Sequence, residues 1–366
     1  MNADQPSSSC YEHTHRLRKS VLVRKSFGKE YMVLIFSGDS YMTSFREMKE
    51  REYIPHGTYL KLLIGGTLSL SKVLFTNPGD LKKLRTIQGS EERYVRPKRP
   101  YELPSFKEGM RCGVSDEKYL RPTLYCNPCA PEVVALAHEL GAFQKTDYEF
   151  AKAAFEFVKE KLDLEICPMD SVEETIRRGT GTCFHLISVF IALCRCAGIK
   201  ARYKTFAMNM IQTWYDAMVG SDPLVKKWYD QMGFFMMEGE GEALIDGKWV
   251  PAHVGPTAER QAAGGIPITH FGEGSLGIWF FALPGTTMNM ESIPYGLGLG
   301  SKLLKRIAPA SMERVNISIQ RQNEMGKKVI EEAGGKEAYD TMARKKQKSK
   351  APTLDLSDKK GIVFEE

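Results

Sequence analysis

A cysteine that directly precedes an apolar stretch is the residue best suited to covalent chemistry in this sequence. Cys183 follows the segment 179–182, whose two glycines would let the backbone approach a substrate closely, and precedes a run that is apolar on nearly every side. Such a run predicts a helix inside a domain, with Thr182 as its cap and Cys183 in its first turn. A helix N-terminus favours the thiolate, which is the reactive form of cysteine. The alternative is a small buried cysteine, and this is our interpretation of Cys194 and Cys196.

A hairpin further along the chain could supply acid–base partners for this thiol. Asp246-Gly247 is the strongest two-residue signal for a hairpin turn. Counting outward from that turn places Glu240 opposite His253, and it places Glu238 diagonally from His253. Since side chains alternate along a strand, the three share one face with Trp249.

In this order, the cysteine block and the hairpin resemble the transglutaminase-like superfamily, above all its small bacterial and archaeal branch. The residues that carry the resemblance are YLRPTLY, RRGTGTCFHLISVFIALCRCAGIKARY and GEGEALIDGKWVPAH, within about residues 118–290. The resemblance implies an α+β, papain-like fold in which the thiol helix packs on an antiparallel sheet. It also implies attack of a cysteine on an amide or other acyl carbon, with a histidine as base and an acid that orients it.

The sequence departs from the family pattern at both supporting positions. The resemblance gives Cys183 the place of the nucleophile, Glu238 that of the histidine and His253 that of the acid. Base and acid would still be neighbours on exchanged strands, so we predict a transposed catalytic triad of Cys183, His253 and Glu238, with Glu240 as the alternative acid. Two other interpretations stay open: a non-catalytic binding protein with a solvated His–Glu pair, or a site used for other chemistry, such as proton abstraction.

Four residues are predicted to contact the substrate. They are Glu240 and Trp249 of the hairpin, Trp214 of a Met- and aromatic-rich insertion over 208–233, and His270 of a Gly-rich loop. The insertion falls between nucleophile and hairpin, where it would shape the substrate pocket. Together with the large flanking segments, it favours a small-molecule or biosynthetic substrate over bulk proteolysis.

The remaining cysteines and histidines give weaker signals. Cys126 and Cys129 form a CxxC pair that, with Cys112 or His138, could be half of a zinc site. A zinc site usually shows a second spaced pair, so we predict neither a metal nor a cofactor. His185 lies on another side of the helix from Cys183, and we predict that it packs.

The helices before the cysteine have well-defined start signals. Pro131 opens one helix at its first position, and Thr146 to Glu149 is a capping box that opens a second. Ser171 to Glu174 is a second capping box, and Gly179 ends the short helix that it opens.

We predict disorder for 1–15, a β-rich module and linker for 16–117, the transglutaminase-like domain for 118–295, and a helical extension with a basic tail for 296–366. The β-rich prediction rests on the β-like runs 21–23, 31–36 and 67–75. The segment 78–117, rich in Pro, Arg and Gly, is predicted to be an irregular linker or a strap over the second domain.

Composition sets the class of protein. The chain has 366 residues, of which 42% are hydrophobic and 26% charged, and its net charge is +6. The bases are mixed with acids, and the basic run near the C-terminus lacks stacking aromatics, so we expect no nucleic-acid partner. The N-terminal residues do not form a secretory signal, and no apolar stretch is long enough to span a bilayer. We therefore expect a reducing, cytoplasmic location and a small-molecule or peptide substrate.

Overall fold

The computed structural model describes residues 45–55, 57–87, 92–210, 215, 219–275 and 280–348. The chain divides into two units, Met1–Glu50 and Arg51–Glu366. In the first unit the described secondary structure is helix α1, Phe45–Glu50. All that follows concerns the second unit.

The second unit combines helices with one main antiparallel sheet. Its described helices, in chain order, are α2 Gly57–Thr76, α3 Leu81–Arg85, α4 Pro131–Glu139, α5 Asp147–Lys161, α6 Val172–Arg178, α7 Cys183–Cys196, α8 Pro223–Met232, α9 Ala258–Ala263, α10 Tyr295–Ile307, α11 Pro309–Glu332 and α12 Lys336–Lys348. The strands are β1 Asp163–Leu164, β2 Thr180–Gly181, β3 Ala201–Met210, β4 Phe235–Ile245, β5 Lys248–Ala252, β6 Phe280–Ala282 and β7 Met288–Met290. This composition confirms the predicted α+β class.

The main sheet has the order β5-β4-β3-β6, and β7 pairs with β3 beside β6. All of these pairings are antiparallel, whereas β1 and β2 form a separate parallel pair. The first strand of the hairpin, β4, is therefore an inner strand with the second strand, β5, on its outer side.

Helix α7 is the centre of the hydrophobic core. Almost every residue from Phe184 to Cys196 is buried, as expected for a helix that is apolar all round. It packs on β4, where a Cβ on Gly241 would come within 2.6 Å of the Phe190 ring. Glycine at this position therefore lets the thiol helix lie close to the sheet.

Two local sequence signals in this part of the chain are confirmed, whereas the predicted capping box at Ser171 is wrong, since Ser171 is the N-cap of α6 but its side chain makes no cap hydrogen bond. Thr146 and Glu149 form the reciprocal bonds of a capping box at the start of α5. Asp246 and Gly247 have positive φ angles of 49° and 75°, the conformation of a type I′ turn, and Ile245 pairs with Lys248 as predicted.

The predicted β-rich module is not supported, and for 67–75 the prediction is wrong because these residues lie inside α2. The alternation of Leu and Ser over a few residues imitates a strand. Over the whole helix the buried positions are 59, 62, 66 and 73, which is helical spacing. The runs 21–23 and 31–36 lie outside the described residues.

The segment 78–117, predicted as an irregular linker or a strap, begins with helical residues, because Pro78–Asp80 is a 3-10 helix and Leu81–Arg85 is α3. Its residues 92–117, called the strap below, contact the helices around the thiol segment. Tyr101 donates a hydrogen bond to the Ile176 carbonyl at 2.6 Å, at the end of α6. Further along, the Gly113 backbone N–H donates to the Cys196 carbonyl at 2.7 Å, at the end of α7. The strap thus runs along the helices around the thiol segment.

The described residues from Tyr295 to Lys348 are mainly helical, with Gly334 and Gly335 between α11 and α12. The basic run does not begin as a tail, because Arg344 lies within α12 and pairs with Asp340 and Glu273. None of the described helices combines the length and apolar character needed to cross a membrane.

Candidate active site

The start of α7 is held by a histidine cap. Thr182 is the N-cap and Cys183 the first residue of the helix. The Thr182 backbone N–H donates to His185 Nδ1 at 3.0 Å, and His185 Nε2 lies 3.1 Å from Asp170 Oδ1. The Asp170 backbone N–H also lies 3.1 Å from Nε2, so the imidazole bridges Thr182 and Asp170. His185 is buried and holds the helix end in place, in keeping with its predicted packing role.

Gly181 meets a protein side chain rather than open space. A Cβ at this position would lie 2.5 Å from the His185 Cβ and 2.9 Å from its Cγ. We had expected this glycine to let a substrate approach the backbone. Its close neighbour is instead the histidine of the helix cap, so glycine is needed here for the cap to form.

Cys183 is half-buried against the core, and the Glu238 carboxyl lies near it, since both groups approach Gly255. Burial raises the pKa of the thiol well above its ordinary value, and the Glu238 carboxylate raises it further. The Phe184 backbone N–H acts in the opposite direction by donating to the sulfur. The helix N-terminus was expected to favour the thiolate, but here burial and a neighbouring anion outweigh it.

Glu238 lies on β4, an inner strand of the sheet, and its carboxyl has a high proton affinity. Burial raises its pKa to about 7, although hydrogen bonds from Gly239 and the Cys183 thiol lower it. The Gly239 backbone N–H donates to Glu238 Oε1 at 3.1 Å. In the sheet Glu238 pairs with Phe206, and the register shifts between Phe206 and Met208 directly beside it. Such irregularities can redirect a side chain towards a site.

The segment after β5 closes over both groups. A Cβ on Gly255 would lie 3.5 Å from Cys183 Cβ and 3.9 Å from Glu238 Oε1. The next helix, α9, begins at Thr257, whose hydroxyl accepts a hydrogen bond from the Arg260 N–H at 3.2 Å. The thiol and the carboxyl therefore lie under the turn that leads to Arg260.

Arg260 brings a buried cation to the site. It is 1% exposed. Burial lowers its pKa to about 10, and the negative charges of Glu238 and Cys183 oppose this shift. The guanidinium thus remains charged at neutral pH and balances the negative charge that the thiol and carboxyl share.

His253 lies directly after β5 and is fully buried. Burial lowers its pKa well below the ordinary value, and the charges of Lys159 and Arg260 lower it further. Lys159 donates hydrogen bonds to the Pro256 carbonyl at 3.0 Å and to Thr269 Oγ1 at 2.9 Å. The charged groups that act most on His253 are thus Lys159, whose own pKa burial lowers to about 7, and Arg260. Those that act most on Cys183 are Glu238 and Arg260.

Glu240, two residues beyond Glu238, is fully buried in an ion pair. Its Oε1 accepts from Lys204 Nζ at 2.9 Å. Its Oε2 accepts from the backbone N–H and hydroxyl of Ser275 at 2.8 and 3.1 Å. Both oxygens are used in holding a neighbouring strand and loop.

The other predicted substrate contacts lie in different surroundings. Trp249 packs between the Arg202 guanidinium, 3.9 Å from its ring centre, and the edge of Tyr119. His270 Nε2 lies 3.0 Å from Asp340 Oδ2 at the C-terminal helix α12. Trp214 lies outside the described residues.

A cavity of about 220 Å³ opens beside Cys183 and is lined mainly by apolar side chains. Three helices supply much of its wall: α2 with Leu62, α8 with Met232 and α10 with Leu297. Of the Met- and aromatic-rich insertion 208–233, the aromatic and Met residues that line this cavity are Trp228, Tyr229 and Met232.

Residues 134–252 match the sequence model of the transglutaminase-like superfamily. This segment is a transglutaminase-like domain. It includes the thiol helix and the whole hairpin up to Ala252. Searches of curated proteins and of solved structures found no match.

Several residues around the site of the transglutaminase-like domain escaped the sequence analysis. Arg260 and the cavity walls α2 and α10 lie outside the matched segment, and they reach the thiol only through the tertiary fold. Lys159 lies within the matched segment but looks like an exposed lysine in a helical pattern. The available signal for Arg260 was a single arginine in a segment of mostly small and apolar residues, 250–268.

The two cysteines of the predicted CxxC pair lie in different environments. Cys126 is fully buried near the Ser188 carbonyl, whereas Cys129 Sγ lies 3.5 Å from Cys112 Sγ. Among the described residues, no group of three or more His, Cys, Asp or Glu side chains is arranged to hold a metal ion.

Proposed function

We propose that this chain is a cysteine-dependent enzyme that transfers or hydrolyses an acyl group bound as an amide or a thioester. The observation that carries the proposal is the placement of the Cys183 thiol and the Glu238 carboxyl together against Gly255, at a cavity and at the start of a buried helix. The transglutaminase-like family of the domain supports thiol chemistry of this kind.

In this mechanism Cys183 attacks as a protonated thiol assisted by a base. The sulfur forms a bond to the acyl carbon while the Glu238 carboxylate accepts the thiol proton. Glu238 then gives the proton to the leaving amine or thiol, and the bond between acyl carbon and leaving group breaks. Water or an acceptor afterwards attacks the thioester on Cys183 and gives its proton to Glu238. As the carbon–sulfur bond breaks, Glu238 passes that proton to the departing sulfur, which restores the thiol and the carboxylate. A carboxyl with a pKa of about 7 is suited to both directions of transfer.

This assignment makes Glu238 the base, where the sequence had suggested His253. The support is electrostatic: the Glu238 carboxyl acts on the Cys183 thiol, whereas the groups that act most on His253 are the basic side chains of Lys159 and Arg260. We propose that His253 and Arg260 are positioning residues. Arg260 offsets the negative charge on Glu238, and His253 packs near Arg260 as a neutral ring.

We also propose a reducing compartment such as the cytoplasm. None of the cysteines in the described part of the chain forms a disulfide, even where Cys112 and Cys129 have their sulfurs 3.5 Å apart. In an oxidising compartment, two cysteines as close as these would form a disulfide that persists.

The test is covalent trapping on the full chain. Incubation with acyl thioesters of N-acetylcysteamine, followed by intact-protein mass spectrometry and peptide mapping, should place the acyl group on Cys183. Cys183→Ala should lower acylation and turnover by about a thousandfold or more. Cys112→Ser, which removes a thiol far from the cavity, is the matched control and should be acylated like the wild type. Equal acylation of the wild type and Cys183→Ala would refute the nucleophile.

A second candidate is a binding protein that keeps the fold without catalysis. The observation that favours it is the raised pKa of the Cys183 thiol, which leaves little thiolate at neutral pH. In that case Cys183 should react with iodoacetamide no faster than a model thiol across pH 5–9. No acyl-enzyme should then accumulate with any thioester.

A further inference from the structure

The cavity beside Cys183 has walls of one chemical character. The described residues that line it carry no formal charge. On the α2 side the wall is formed by Leu62 and Leu63, and on the α10 side by Leu297 and Leu304. Between them, Trp228 and Met232 of α8 complete a hydrocarbon and aromatic surface. A ligand that fills this space gains mainly from leaving water.

The polar atoms of three wall residues are engaged by the protein itself. Thr182 Oγ1 lies 2.8 Å from His185 Nδ1, and Trp228 Nε1 donates to the Gly66 carbonyl at 3.0 Å. Ser301 Oγ donates to the Gly298 carbonyl and accepts from the Met169 N–H, both at 2.9 Å. A peptide or sugar in this space would lose hydrogen bonds to water and find few replacements beyond the buried Tyr59 hydroxyl, which disfavours both classes.

The volume indicates how large an apolar ligand can be. The cavity measures about 220 Å³. An apolar protein cavity of about 150 Å³ is enough to take up benzene, which has six carbon atoms. The space beside Cys183 is therefore suited to a chain somewhat longer than six carbons. Because the thiol lies in the wall, such a chain can present a reactive carbon to the sulfur.

We propose that the substrate is a medium-chain acyl thioester or amide, whose hydrocarbon chain occupies this cavity and whose carbonyl carbon lies at Cys183 Sγ. This inference rests on the proposed acyl-transfer function and specifies its substrate class. The acyl group is transferred to the sulfur as described above, and the chain supplies the binding energy that holds the carbonyl at the thiol.

Chain length is the first test. N-acetylcysteamine thioesters of acetyl, butanoyl, hexanoyl and octanoyl groups are compared by the rate of acyl-enzyme formation at limiting concentration. Each methylene group that enters the cavity should raise the rate by roughly fourfold. A rate that is equal for all four donors, or highest for acetyl, would overturn the proposal while leaving a thiol enzyme.

A pair of tryptophan variants on α10 tests the location. Leu297 lines the cavity, whereas Leu299 on the same helix is 57% exposed. Leu297→Trp should reduce the ratio of octanoyl to acetyl transfer by about tenfold or more, because the new ring fills the space of the chain. Leu299→Trp should leave that ratio as in the wild type. Equal ratios in the two variants would place the chain elsewhere.

Binding without chemistry separates this inference from the proposed function. Cys183→Ala is titrated with N-ethyl amides of acetic and octanoic acid by calorimetry. If the octanoyl amide binds much more tightly, and wild-type protein still forms no acyl-enzyme, the cavity is a chain-binding site and the enzyme proposal fails. If wild-type protein forms an acyl-enzyme but the octanoyl amide binds no better than the acetyl amide, the enzyme stands and the chain proposal fails. If no acyl-enzyme forms and the octanoyl amide binds no better than the acetyl amide, both the enzyme proposal and the chain proposal fail.

Discussion

Two glutamates on strand β4, two residues apart, have opposite surroundings. Glu240 is held by Lys204 and by two donors of Ser275, so that each of its oxygens has a fixed partner. Glu238 has the Gly239 N–H and the Cys183 thiol, and burial raises its pKa to about 7. The first carboxylate is held as a structural anion, and the second can exchange a proton.

The comparison indicates that the role of a buried carboxyl depends on which groups donate hydrogen bonds to it. Its strand and the face of the sheet on which it lies are the same in both cases. A cation beside a buried carboxylate stabilises the charged form, whereas a thiol shares its own proton and leaves the carboxyl able to accept it. The negative charge of Glu240 also raises the pKa of Glu238. The structural carboxylate therefore helps to tune the one beside the thiol.

The largest expected effect is that of Glu238→Gln. Without its base, acyl-enzyme formation should fall by about 10²- to 10⁴-fold. Alkylation of Cys183 by iodoacetamide at pH 8 should become faster, because the carboxylate that raises the thiol pKa is gone. Opposite changes in turnover and alkylation, measured on one preparation, identify a base. A loss of both together would indicate damage to the fold instead.

Glu240→Gln should act mainly on stability. Removing one partner of a buried ion pair costs about 3–5 kcal/mol, but Lys204 is partly exposed and also lies 3.5 Å from Glu242. We therefore expect a decrease of roughly 1–3 kcal/mol in the free energy of unfolding, measured by urea denaturation. Acyl-enzyme formation should fall far less than in Glu238→Gln.

The double variant Glu240→Gln with Lys204→Met is the control for that loss. It removes both members of the pair, so part of the lost stability should return. A Glu240→Gln protein that is as stable as the wild type but as inactive as Glu238→Gln would exchange the roles that we assign to the two glutamates.

The pH profile gives a smaller and graded effect. A general base works only when deprotonated, and the pKa of Glu238 is raised to about 7. The rate of acyl-enzyme formation should therefore increase about tenfold per unit of pH below 7 and level off above it. In Glu238→Gln this limb should be absent. If the rise in rate below pH 7 persists unchanged in the variant, a group other than Glu238 is responsible for it.

The smallest effect is expected for His270→Ala. His270 is paired with Asp340, but its side chain is 60% exposed, so the pair should contribute less than about 1 kcal/mol to the free energy of unfolding. Since it lies against α12 rather than at the cavity, acyl transfer should stay close to the wild-type rate. A tenfold rise in the substrate concentration needed for half-maximal rate would restore it as a substrate contact.

The sequence was most informative where structure depends on a few adjacent residues. The capping box at Thr146, the start of α7 at Cys183 and the Asp246-Gly247 turn all follow from local backbone chemistry. The hairpin register followed from that turn, since a two-residue loop leaves one pairing of its strands. These elements were enough to place the thiol and the two glutamates on neighbouring elements.

What could not be predicted depends on residues that are distant in sequence. A hairpin pattern tells which residues share a face, but not that Lys159 of α5 and Arg260 of α9 bring cations to His253. The cavity walls also come from both flanks of the chain. For α2 the predicted periodicity was wrong. Five alternating residues suggested a strand, although they belong to a helix of 20 residues.

The strap has a practical consequence for dissecting this protein. It is bonded near the last turn of α6 through Tyr101 and at the last residue of α7 through Gly113, so it braces the segment on both sides of the thiol. A Cβ on Gly113 would come within 2.7 Å of the Gly198 nitrogen, which shows how closely the two backbones are packed. A fragment cut to the family boundaries, 134–252, would omit this brace along with α2, α9 and α10. Truncated variants made for expression should therefore keep the chain from Arg51 through α12.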